Sequence, residues 1–429
     1  MPKSSASDQL LHNLLSLHPK RIDLSLDRLR QLLQKLDNPH HHCPQVVHIA
    51  GTNGKGSTVA FLKAMAQADG RTVHSYTSPH LVRFHERIGL YGSPIDEARL
   101  ADFLARVEAI NAGDPITFFE VTTATAFVAF AEHPADLLIL ETGLGGRYDA
   151  TNVFDQPLAV GLTAIDIDHQ GFLGESLAEI AHAKAGIIKS GVPAFSVAQK
   201  PEAMRILEDE ANLVGAPLNR AALAPADWQL GLAGGHQYAN AGLAMGLAQA
   251  IGISIDAQRQ GAHQAHWPGR LQQLTDPVWT TRIPMGTELW LDGAHNPAAA
   301  LELSRWLGAK LGSEEVADVV LGLMSNRAVE DFLKPFLPLK DRLRFHALSI
   351  PGEAGAHQPE AIVTPGRALG FDAFEAVGLD AAFVSLGRQQ RKPSVVLVAG
   401  SLYLIGALLR GDAPNVSEYG STLQRPNTI

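Results

Sequence analysis

Three glycines and a lysine fall within six residues in the segment His48-Ile49-Ala50-Gly51-Thr52-Asn53-Gly54-Lys55-Gly56-Ser57-Thr58. The segment follows a short β-branched run, Val46–Ala50, and leads into a helical stretch, Thr58–Ala68. Glycines let backbone N–H groups turn toward an anion, and a helix N-terminus adds partial positive charge. Lys55 can reach β- and γ-phosphates, and Ser57 or Thr58 can approach a magnesium ion or a phosphate oxygen. The usual phosphate loop keeps four residues between its first glycine and Gly-Lys; here only two residues separate Gly51 from Gly54. An ordinary glycine turn would fit the same spacing. The strand–loop–helix setting and Lys55 favour phosphate.

Three further segments carry titratable groups. Glu141 ends the apolar run Leu137–Leu140 and precedes Thr142-Gly143-Leu144-Gly145-Gly146. A carboxylate at the C-terminal end of a buried strand is where α/β folds put ligand-binding groups, and it could hold Mg²⁺. His169 follows Asp166-Ile167-Asp168; metal or phosphate binding and a plain loop histidine weigh equally there. Lys184 sits in the mainly apolar His182–Lys189 stretch. Burial would require a partner, and a surface lysine fits the periodicity as well.

The elements that must position these groups alternate strand and helix. Leu158–Ala164 and Pro193–Val197 read as further buried strands. The pattern restarts after about residue 285, with strands over Glu288–Leu291, Val319–Leu323, Leu343–Leu348 and Val395–Ala399 and a helix over Ala298–Leu311. Short apolar strands between helices predict an α/β fold with mostly parallel sheets. Pro284–Thr287 marks the expected boundary between an N-terminal ATP-binding domain, 1–284, and a smaller Rossmann-like C-terminal domain, 285–429. With 429 residues, 46% hydrophobic, the chain can bury two cores. A net charge of −9 argues against nucleic acid as the main partner. No run approaches the roughly 20 apolar residues that span a bilayer. The single cysteine, Cys43, reads as a packing residue and suits a reducing compartment. A cytoplasmic protein is expected.

Taken together, the motifs resemble the folylpolyglutamate synthase/dihydrofolate synthase family of the Mur ligase superfamily. The matching segments are His48–Thr58, Thr77–Arg83, Phe118–Glu120, Leu140–Asn152, Asp168-His169, Lys184–Lys189, Trp267–Leu271 and Asp292–Pro297, with Gly400–Tyr403 a weaker match. They cover most of the chain. The resemblance implies that Gly54, Lys55, Gly56 and Ser57 hold ATP phosphates, with Asn240, Arg270 and Asp292 completing the nucleotide site. It implies two Mg²⁺ sites, one at Ser78 and Glu141 and one at His169. Lys184 matches the family's carbamylated lysine, although many members carry Glu where this chain has Ala183. His295, with Asn296, would position phosphate or glutamate. The pterin side would use Arg21, Ile22, Asp23 and Leu24, then Thr117, Phe118, Phe119 and Glu120, then Tyr148, Asp149 and Ala150.

The implied reaction is an ATP-dependent ligation of L-glutamate to dihydropteroate and to the γ-carboxylate of folates, through an acyl phosphate. The catalytic residues would be Lys55, Lys184 and His295, in a protein that is monomeric like most of the family. A folate-tail ligase without the dihydropteroate activity is one rival. A Mur-type cell-wall amino-acid ligase is another, although only about 50 residues precede the glycine loop, too few for a UDP-binding domain. An NTPase without ligase activity would leave Arg270 and Asp292–Pro297 without a role.

Overall fold

The computed structural model describes residues 10–11, 25–389 and 391–410. The proposed pterin residues Arg21, Ile22, Asp23 and Leu24 lie outside the described residues. The chain divides into two compact units. Unit 1 runs to Gly231 and takes up again over Gln237–His266; unit 2 holds Leu232–His236 and the residues from Trp267.

Unit 1 is built on an eight-stranded sheet. Its strands are β1 (Val46–Ala50), β2 (Val73–Tyr76), β3 (Ile88–Leu90), β4 (Ser93–Pro94), β5 (Leu137–Glu141), β6 (Ala159–Leu162), β7 (Ala194–Ser196) and β8 (Leu218–Arg220). The order is β4-β3-β2-β5-β1-β6-β7-β8, with β2 through β8 on that path parallel and β3 and β4 antiparallel at one edge. Every residue of β1, β2, β5 and β6 is buried. That explains why β1, β5 and β6 read as largely apolar runs rather than alternating ones, whereas β2, Val-His-Ser-Tyr, carries no such signal.

Unit 2 has a six-stranded sheet, β9 (Gln272–Leu274), β10 (Glu288–Leu291), β11 (Ala317–Leu321), β12 (Leu343–Ala347), β13 (Asp372–Glu375) and β14 (Val395–Ala399). Its order is β13-β12-β11-β14-β10-β9, parallel except for β9. Because β9 pairs with β10, residues 267–284 belong with this sheet, so the division falls before Pro284. Among the described residues no helix is long and apolar enough to cross a membrane.

Candidate active site

The sequence expected a helix from Thr58. It starts at Lys55 and runs to Ala68, so Lys55, Gly56 and Ser57 form its first turn, where backbone N–H groups are unpaired. Gly54 caps it with φ +95°, and a Cβ there would lie 2.3 Å from Asn240 Oδ1. At Gly51, φ is +150° and a Cβ would meet Thr163 Oγ1 at 1.8 Å. Both glycines are therefore forced, by backbone conformation and by close approach. The loop leaves β1 at the C-terminal ends of β2, β5, β1 and β6, the crevice where open α/β sheets bind ligands.

Two lysines meet at this loop. Lys55 Nζ donates to Gly51 O at 3.0 Å and to Thr52 O at 3.3 Å. Lys184 Nζ donates to the same Gly51 O at 3.0 Å. Lys184 is buried, not at the surface. Burial, then the Lys55 charge, push its pKa from 10.5 down to about 7, against the opposing pull of Asp168 and Asp149. The helix Leu177–Ala185 that carries it is held by the loop after β5. Arg147 N donates to Ala183 O at 2.7 Å, and Asn152 Nδ2 reaches Gly186 O at 3.1 Å. A Cβ on Gly146 would lie 2.9 Å from Lys184 O. The glycine run 143–146 thus permits the close packing that fixes Lys184.

The candidate metal residues are oxygen-rich and sparse. Glu141, buried at the end of β5, accepts from Ser78 N at 3.4 Å. His169, in the left-handed region with φ 53°, lies beside Asp168, Nε2 to Oδ2 3.9 Å. Among the described residues no three His, Cys, Asp or Glu side chains gather into a metal cage. That donor set suits Mg²⁺, which keeps waters and takes phosphate oxygens rather than a full protein shell.

Around the proposed pterin side, two acids are occupied by the protein itself. Glu120 takes both Nε and Nη2 of Arg28 and caps Thr117 N at 2.7 Å. Asp149 accepts from Leu144 N at 2.7 Å and from Thr151 N and Oγ1 at 3.0 and 2.5 Å. His48 on β1 closes the chain, Nε2 to Thr151 Oγ1 2.8 Å. Since Thr151 Oγ1 donates to Asp149, His48 Nε2 must donate to Thr151. Burial and the Lys189 charge push the His48 pKa down to about 3, so its ring is neutral. Phe119 presses its ring against Gly143, where a Cβ would lie 2.4 Å from Cζ. Phe118 packs edge-on to Phe84. Tyr148 is 52% exposed, whereas Ala150 is buried in the core.

Sequence reading missed Gln237. It is fully buried and donates to Ser57 Oγ at 3.3 Å while accepting from Asn240 Nδ2 at 2.9 Å. The i, i+3 spacing of Gln237 and Asn240 on one helix face was the available signal.

In unit 2, Asp292 follows β10. Its Oδ1 accepts from Ala294 N at 2.7 Å and its Oδ2 from Leu271 N at 2.8 Å, which anchors the residue next to Arg270. His295 Nδ1 lies 2.9 Å from Gly293 O, and Asn296 caps the helix Pro297–Lys310.

A family model described as the dihydrofolate synthetase C-terminal domain matches residues 280–349. The dihydrofolate synthase/folylpolyglutamate synthase of Bacillus subtilis (strain 168) is 33% identical over 421 residues, covering 89% of this chain and 93% of that protein. The chain belongs to the dihydrofolate synthase/folylpolyglutamate synthase family. It is an ATP-dependent ligase with the family's two-domain α/β fold. The solved structure of E. coli FolC in complex with DHPP and ADP matches with TM-score 0.82 at 28% identity, over 95% of this chain and 98% of that one. A bifunctional folylpolyglutamate synthase/dihydrofolate synthase with Mn, AMPPNP and L-glutamate bound matches with TM-score 0.80 at 27% identity, over 95% and 98%.

Proposed function

We propose that this ligase joins L-glutamate both to 7,8-dihydropteroate and to the γ-carboxylate of folates, using one ATP site. The observation that carries the site assignment is the pair Lys55 and Lys184 on Gly51 O, at the start of a phosphate-binding helix. Gly54, Lys55, Gly56 and Ser57 would cradle the phosphates, with Asn240 at the nucleotide and Gln237 fixing Ser57. From unit 2, Arg270 and Asp292 are proposed to bind nucleotide and His295 to position phosphate or glutamate.

Ser78 and Glu141 would hold one Mg²⁺ and His169 a second. When bound, the metal would neutralise phosphate charge. Lys184, poised near pKa 7, offers a neutral amine to CO₂. The amine nitrogen bonds to the carbon and releases a proton, leaving a carbamate. That anion would replace a second ammonium beside Lys55 and supply metal-ligating oxygens.

The acid's carboxylate oxygen attacks the γ-phosphorus as the bond to ADP breaks. Lys55 and Arg270 stabilise the charge that builds up on the transferring group. The glutamate amine then attacks the acyl carbon, and the adduct loses phosphate and a proton to give the amide. Phe118, Phe119 and Tyr148 would contact the pterin-bearing acid. Thr117, Glu120, Asp149 and Ala150 would shape its site from behind, since the two carboxylates are already bonded within the protein.

A coupled assay tests the ligase reading. ADP release should require both dihydropteroate and L-glutamate; release indifferent to glutamate would sink it. A cytoplasmic monomer is the simplest setting, and sedimentation at the mass of a dimer would contradict the monomer.

A further inference from the structure

β6 ends at Leu162, and the segment 163–169 carries the chain on to His169. The glycine loop is tied to this segment at two points. Thr52 N and Asn53 N both donate to Ala164 O, at 2.9 and 3.1 Å, and Asn53 and Ala164 form an isolated antiparallel bridge. The Thr52 hydroxyl then grips the backbone of Asp166 twice. Its Oγ1 donates to Asp166 O at 3.0 Å and accepts from Asp166 N at 3.1 Å. A threonine hydroxyl has a single proton, and Asp166 O takes it. Thr52 Oγ1 therefore has no hydrogen to offer a phosphate, and its part in a nucleotide site is indirect.

The segment is held from its other side as well. Gln199, just ahead of the helix Pro201–Val214, donates from Nε2 to Thr163 O at 2.8 Å and accepts from Ile165 N on Oε1 at 2.9 Å. Its remaining bond runs from Nε2 to Ser196 Oγ on β7, at 3.0 Å, so none of the three goes to the glycine loop. Toward His169 two aspartates turn the chain on itself. Ile167 N donates to Asp166 Oδ1 and His169 N to Asp168 Oδ1, each at 2.8 Å. Lys200 Nζ adds a bond to Asp166 Oδ1 at 2.7 Å. A continuous run of hydrogen bonds thus leads from the glycine loop, through Asp166, to His169, and such runs can carry energetic coupling between two sites.

The two ends of this run take different ligands in the reading above, phosphate at the glycine loop and a metal ion at His169. We propose that Thr52 is a positioning residue that couples the two, so that nucleotide on the loop and metal at His169 each raise the other's affinity. The effect must be reciprocal, because both ligands share one coupling free energy. This rests on the assignment of His169 to a metal under the proposed function. Gln199 supports the same coupling from the far side of the segment.

Calorimetry of AMPPNP binding to the full chain, with and without Mg²⁺, provides the test. The quantity read is the gain, the ratio of the two dissociation constants. His169→Ala removes the proposed metal ligand and should lower the gain. Thr52→Val keeps the side chain's shape and removes the hydroxyl; it should lower the gain about tenfold, the scale of losing both bonds to Asp166. Thr52→Ser should keep most of the gain. With Thr52→Val and His169→Ala combined, the gain should fall no further than in His169→Ala alone, since the hydroxyl then has no metal to couple. Gln199→Leu should lower the gain in the same sense, and it decides alone if thermal melting shows that Thr52→Val does not fold. A gain in Thr52→Val within about twofold of the wild-type value, whether or not affinity falls overall, would overturn the coupling, as would additive losses in the double variant. No change in Gln199→Leu would confine any loss to the loop and overturn it too. Failure of the metal reading would look different: His169→Ala itself would keep the wild-type gain, and the coupling would fall with it.

Discussion

Lys55 and Lys184 both donate to one carbonyl oxygen, Gly51 O. Burial, and after it the Lys55 charge, bring the Lys184 pKa down to about 7. A neutral amine is what carbamate formation needs. With ¹³C-bicarbonate, the wild-type protein should show a carbamate carbon signal that Lys184→Ala lacks. The same variant should lose at least about 100-fold in kcat/KM, the scale of removing one electrostatic element from a phosphoryl or acyl site. Near-normal turnover would remove Lys184 from the chemistry. A stability effect follows as well. The folded pKa is about 7 and the unfolded value 10.5, so between them the unfolded state binds more protons. Stability of the uncarbamylated protein should therefore rise as pH climbs from about 7 toward 10, the penalty being full below 7. Lys184→Met should flatten that rise in urea unfolding; an unchanged slope would contradict it. The sequence showed Lys184 as a lysine in an apolar stretch but could not tell surface from interior. That distinction is made by Gly146 and Asn152, residues far from it in sequence.

At the scale of elements, the glycine loop between β1 and its helix was legible because the two elements are contiguous and each has a clear pattern. β1, β10 and β14 start and end where their apolar runs predict. The β3–β4 hairpin escaped notice because two or three residues carry no period. Likewise β9, Gln272–Leu274, has no buried face to read, so the unit boundary was expected at Pro284 rather than before Trp267. The loop's glycines are a sharper matter. Gly51→Ala combines a positive φ with a Cβ inside Thr163. Loss of ATP binding by calorimetry and a lower Tm should accompany it, and wild-type ATP affinity would refute the geometry. Behind the pterin side, the chain His48–Thr151–Asp149 ties β1 to the loop after β5. Thr151→Val strands a buried imidazole and weakens a buried carboxylate. It should cost about 1–3 kcal/mol in denaturant unfolding. A cost near zero would show that the clasp is dispensable. The reading of Asp149 as a direct pterin contact came from its place in the motif, whereas its hydrogen bonds point inward.

For the whole molecule, the eight-stranded and six-stranded sheets follow from short apolar strands alternating with helices. The acidic balance of −9 leaves small-molecule anion sites as local features rather than a surface-wide property. The alternation of strands and helices therefore carried the fold class, and bulk composition did not carry the substrate. The most direct measurement incubates the purified protein with ATP, Mg²⁺, L-glutamate and either dihydropteroate or tetrahydrofolate, and weighs the products. A gain of one or more glutamates on both acids, with ADP formed in step, is the expected result. ADP formed without a mass gain on either acid would contradict the account.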